Sequence, residues 1–362
     1  METIVRMALR SAPHVPTKGM AHYGLRPSIR APLPGCDAAA RRSDSLVSYL
    51  MIVSREELEG SLADIVRNVR DPRAGILGPE SIAWRVGGDL AIFLGGGRAA
   101  LLQLAHPMVA YAIDHHSKTR ADVLGRFQRT FRHIFAMVFG ELDDALHAAR
   151  RVHQIHTRIH GEIPTTIGAW RAGTPYHAND ADALRWVHAT LVDTTIAVRL
   201  RLGATLSRSD LDQYTIEMNR FAGLFGIPRA LLPGSWADHE RYMTEMLASD
   251  RIAVAPVARE MATFLIGRSG GPQPPLGRLT ELLAAQMLPP HLADAFGLVA
   301  SPRAVAAGLA TFAPIYNRLP ARLVAIPAQV DAGRRIAGRP PSRVAAWTER
   351  QLFGLTGRVT GK

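Results

Sequence analysis

Cysteine is almost missing from this 362-residue chain, Cys36 being the only one. A single cysteine excludes an intrachain disulfide framework, a cysteine-based zinc site and covalent haem attachment through a C-x-x-C-H run, and it suits a reducing, cytoplasmic compartment. Strand signals are scarce as well: there is no run of alternating Val, Ile and Thr and no Asn-Gly hairpin turn. The most apolar stretch, residues 99–113, contains Gln103, His106 and Pro107 and is shorter than the roughly 20 residues of a membrane span. It reads as a buried core helix. The Arg-rich start is not followed by a secretory h-region with a small-residue cleavage site.

What is abundant is positive charge, a net +12. Its distribution matters more than its size. Residues 1–50 hold seven basic residues against three acids, and 318–362 hold nine against Asp331 and Glu349, so the ends carry eleven of the twelve excess charges. The body between them is nearly neutral. Nothing resembles a recognition helix, a zinc finger or an aromatic ribonucleoprotein motif, so nucleic acid is not an expected partner. A basic end is most often a solvated segment, and it also suits peripheral contact with an anionic membrane. Residues 1–50 are expected to be a disordered leader, or an upstream extension of a gene that starts near Met51. Residues 53–317 form the expected helical domain, and 318–362 a basic, poorly ordered tail.

Helical signals recur along that domain. Ser54 and Glu57 have capping-box spacing ahead of a helix reaching about Val69. Pro79 is placed to open a short helix through Trp84. The Gly95-Gly96-Gly97 cluster lacks both a preceding strand and the Lys-Ser/Thr of a phosphate loop, and is read as a site of close helix approach. Further helices are predicted over 99–114 (bent at Pro107), 119–139, 141–160, 180–202, 209–224, 235–248, 254–267, 277–288 and 302–316. The one long connection, 162–179, is of the kind that covers a site.

On a wheel of residues 141–160, Leu142, Leu146, Ala149, His153, His156 and His160 fall within roughly 80°. Three histidines on a buried stripe each need a partner. They are either core histidines bonded to backbone carbonyls, or a metal site using His156 and His160 at i, i+4, or one axial haem ligand with two neighbours. On the preceding helix Arg126, Thr130 and His133 share an arc beside an apolar face of Phe127, Phe131, Ile134 and Val138. A buried arginine facing histidines suits an anionic oxygen species or a propionate. No carboxylate shares either face, which argues against a di-iron carboxylate bundle and favours haem over non-haem metal.

Gly88-Asp89, "LGGGRAALLQLAHPMVAYAIDHHS" (94–117), "RFQRTFRHIFAMVFG" (126–140), "HQIHTRIHG" (153–161), "WVHATLVDTT" (186–195), "GIPRALLP" (226–233) and "MLPPHLADAFGL" (287–298) together resemble the oxygenase family that includes MpaB and the latex-clearing rubber oxygenases. The resemblance covers most of 75–300. It implies an all-α, single globin-like domain holding haem b, and a reaction of O2 with an apolar, isoprenoid substrate in which a C=C bond is cleaved. It places His156 at the iron, Arg126 and Thr130 on the distal side, and Arg129 or His160 near the propionates, with His153 beside them. The chain departs from the rubber oxygenases at Arg129, where they have lysine, and at His160, where they have arginine. Where they carry a catalytic glutamate, residues 101–117 contain only Asp114 as an acid. The rival expectations are a non-haem metalloenzyme using His156 and His160, and a non-catalytic helical binding protein with a basic tail.

Overall fold

The computed structural model describes residues 50–116, 123–265 and 275–353, without the side chains of 123–129, 275–277 and 351–353. The leader expected over 1–50 lies outside the described residues, Leu50 excepted. The capping box forms as predicted: the Ser54 hydroxyl accepts from the Glu57 amide and the Glu57 carboxylate from the Ser54 amide, opening α1 (Arg55–Asn68). Pro79 does not open the next helix. Ser81 caps it by accepting from the Trp84 amide, and α2 runs Ile82–Gly87.

The predicted bend at Pro107 is a full break, giving α3 (Gly96–Leu104) and α4 (Pro107–His116), because proline has no amide to donate and is suited to a first turn. A helical hairpin follows, α5 (Val123–Phe139) and α6 (Leu142–His156), turning at Gly140 and Glu141. Two short antiparallel strands, β1 (His160–Glu162) and β2 (Pro175–His177), pair His160 with His177 and Gly161 with Tyr176. Beyond them come α7 (Ala181–Arg201), α8 (Arg208–Gly223), α9 (Trp236–Ala248), α10 (Pro256–Leu265), α11 (Pro275–Met287), α12 (Pro290–Ala295) and α13 (Pro302–Tyr316). The fold is all-α apart from that one ladder among the described residues. No described helix is long and apolar enough to cross a membrane.

Helical packing continues past residue 317. α14 (Ala321–Val324), α15 (Pro327–Ile336) and α16 (Arg343–Phe353) occupy much of the stretch expected as a basic tail. Ile326 and Ala332 are fully buried, and the Arg335 guanidinium donates to the carbonyls of Arg73 and Phe139 at 3.0 and 2.8 Å. The basic residues there sit on amphipathic helices, and one of them is spent on core carbonyls.

α7 runs through the middle because it is apolar on several sides, with Leu184, Trp186, Val192, Ile196 and Val198 all buried. One hydrophobic cluster joins it to α1, α2, α5, α6 and α8; a second joins it to α3, α4, α10 and the 162–179 loop. The glycine cluster does what its composition suggested. A Cβ on Gly95 would stand 2.7 Å from Val198 Cγ2 of α7, and one on Gly97 2.8 Å from Thr280 Cγ2 of α11.

That approach brings Arg98 of α3 into the interior. Its guanidinium bonds Asp193 Oδ2 and Thr194 Oγ1, each at 2.6 Å, and the Met287 carbonyl at 2.9 Å. Burial pushes the Asp193 carboxyl up, but His239 and Arg98 outweigh it and hold it below the ordinary value. A buried ion pair is costly to break from one side, since the remaining charge stays unpaired. Asp193→Ala is therefore expected to lower the unfolding free energy by about 3–5 kcal/mol in urea melts; a loss below about 1 kcal/mol would mean that Arg98 is not relying on this carboxylate.

Candidate active site

α6 stops at His156, so the predicted face of three histidines holds only two of them. It ends where i→i−3 turns replace the i→i−4 bonds of the helix. The His153 carbonyl accepts from the Thr157 amide and hydroxyl, each at 2.9 Å, and from Asn179 Nδ2 at 3.2 Å. The Arg158 and Ile159 amides then close tight turns onto the carbonyls of Ile155 and His156. Gly161 enters the strand ladder against Tyr176, where a Cβ would come within 2.7 Å of the phenol oxygen.

His160 consequently lies on β1, exposed, its ring stacked on His177 at 6.1 Å and 8°. Its carbonyl accepts from His116 Nε2 at 2.8 Å. The i, i+4 helical pair of His156 and His160 is not formed. Among the described residues no three His, Cys, Asp or Glu side chains converge as a metal-binding group.

His153 is half-buried, and its Nε2 donates to the Val53 carbonyl at 2.9 Å. This is the core-histidine arrangement that the wheel left open. Asn179, itself buried, also passes its backbone carbonyl to the Val53 amide at 2.8 Å, and the Asp180 carboxylate accepts from the Met51 amide at 3.0 Å. The end of α6 is thus laced to the segment before α1 and to the segment before α7. His156, half-buried, is the final residue of the helix so held.

Across the hairpin, α5 presents Phe131 and Phe135, which form a ring cluster with Phe93 at centroid distances of 5.1 to 6.5 Å. Thr130 is exposed; Arg126 and Arg129 lie on α5 with side chains outside the described residues. Arg126 stands 13 residues before the end of α5, and His156 14 residues after the start of α6. At about 1.5 Å per residue both are about 20 Å from the turn, at the same level of the two helices counted along the chain. His133, one turn from Thr130, has a buried Nδ1 without a hydrogen-bond partner among the described residues. Burial, followed by the charges of Arg132, Arg151 and His147, pushes its pKa down.

Residues 84–318 match the family model described as ER-bound oxygenase mpaB/B'/Rubber oxygenase, catalytic domain. The chain belongs to this oxygenase family. No curated protein and no solved structure matches it. The chain is accordingly an oxidoreductase whose catalytic domain spans α2 to the end of α13.

Two further histidines of this oxygenase domain had no expected role. His106, in "QLAHP", is fully buried with neither ring nitrogen bonded among the described residues, its ring 5.1 Å from that of Trp170. His188, in "WVHATLVDTT", is buried with Nδ1 likewise unbonded among them. Burial, aided by Arg251, pushes His106 down to about 3; burial, aided by His239, pushes His188 down to about 3. Below pH of about 6.5 the unfolded chain protonates both while the folded chain does not, so stability falls as the pH drops from there towards 3. The slope should approach about 2.7 kcal/mol per pH unit for the pair. Urea melts of His106→Leu between pH of about 6 and 4 should lose about one proton from that dependence; an unchanged slope would show His106 is charged in the folded state.

Proposed function

We propose that this oxygenase domain holds haem b through His156 and directs O2 onto an apolar, isoprenoid-type substrate. The reading is carried by the half-buried imidazole at the end of α6, in register with Arg126 across the hairpin. A b-type haem needs one axial imidazole and apolar walls. The residues fit. His156 stands one turn beyond Val152, which packs in the same cluster as Phe131 and Phe135, and the orphaned Nδ1 of His133 is a buried polar atom on the facing helix.

Bound haem supplies an iron that takes up O2. Arg126 and Thr130 would donate hydrogen bonds to the oxygen. Arg129 and the exposed His160 would meet the propionates. His153, tied to Val53, fixes the last turn of α6 and through it the His156 ring. In the cleavage that the family resemblance implies, each carbon of the C=C bond takes one atom of O2, giving two carbonyl groups with no external electrons.

Purified protein should show a Soret band and stoichiometric haem by pyridine haemochromogen assay. His156→Ala should lose the band or most of the haem. A His156→Ala protein with full haem and an unchanged spectrum overturns the assignment.

A further inference from the structure

On the outer side of α6, a cleft of about 630 Å³ opens towards the start of α1. That volume is within the range of small-molecule sites, about 300–1,000 Å³. Ile52, Val53 and Leu58 supply apolar lining, while Arg55, Arg150, Arg151 and Arg158 line it against the single carboxylate of Glu59. The cations are not equally committed. Arg150 is forked onto Glu59 by two hydrogen bonds of 2.8 Å, which neutralises both. Among the described residues Arg151 hydrogen-bonds only the neutral Gln154, at 3.1 Å. Arg55 lowers the pKa of Glu59 from a distance, and neither it nor Arg158 makes an ion pair among the described residues. The remaining titratable lining groups are His147, His153 and His177, and burial, followed by the charges of His160 and His153, pushes His177 down.

Three available guanidinium groups beside an apolar lining call for an anion that carries hydrocarbon. Arginine side chains are the receptors the lining offers. Residues 1–49, which lead into this edge, are themselves basic, with seven cations to three acids, and do not complement it. Guanidinium favours phosphate because its fork matches the oxygens pairwise.

We infer that this cleft binds a small amphiphile bearing a phosphate or diphosphate, its head on Arg55, Arg151 and Arg158 and its chain against Ile52, Val53 and Leu58. The inference does not rest on the haem reading: His156 does not line the cleft, and of the residues given a part in that reading only His153 does among the described side chains, where it is not one of the proposed receptors.

The test is calorimetric titration of the full chain with geranyl diphosphate, inorganic pyrophosphate and geraniol at low and high salt, with anionic phospholipid vesicles as a separate arm. Geranyl diphosphate should bind more tightly than either fragment, and more weakly in high salt. The Arg55→Gln/Arg158→Gln variant, altered at two exposed positions and checked for an unchanged melt, should weaken it by about tenfold or more. Equal binding by variant and wild type, equal binding of geraniol, or binding to vesicles alone would each overturn the inference. Haem absorbance recorded on the same samples separates this result from that of the haem assignment.

Discussion

The candidate site depends on one backbone carbonyl, that of His153. It receives three donors: the amide and hydroxyl of Thr157 and the side-chain amide of the buried Asn179. The ring of the same residue reaches out to Val53. Segments a hundred residues apart in the chain are joined there, at the last turn before the helix ends at His156. An orphan helix end exposed to water would fray. Here the final turn is held from three sides, which is what a residue must have if its ring is to hold a fixed position against a bound group.

The rest of the fold supports that end indirectly. α7 starts two residues after Asn179 and carries Asp193 inward to Arg98, while Gly95 and Gly97 let the neighbouring backbones close around it. Asp89 belongs to the same scheme: it caps the turn after α2, pairs with Arg199 of α7 and accepts from the Tyr316 hydroxyl of α13. Several residues of the family-like motifs thus serve the frame.

Features set by local rules were legible from sequence. The Ser54–Glu57 box, an interruption at Pro107, read as a bend where the helix in fact breaks, and the bounds of α7, α8 and α9 all follow from caps, period and proline. The role of the glycine cluster was legible too, since lack of side chains has one common use between helices. The end of α6 was not. A wheel counts only periodicity, and it cannot see the tight turns at Arg158 and Ile159 or the ladder with β2 that take His160 off the face. The Arg98–Asp193 pair and the buried rings of His106 and His188 were hidden for the same reason, because their partners or burial exist only in three dimensions. Helices α14 to α16 were masked by their arginines, which suggested a solvated tail although one face of α15 is core.

The claim that side chains from distant segments hold the end of α6 is tested most directly by amide hydrogen exchange in Asn179→Ala against wild type. The account predicts faster exchange at the Thr157 and Ile159 amides, whose acceptors are the His153 and His156 carbonyls, with α8 unchanged. Unchanged protection at those two amides would contradict it.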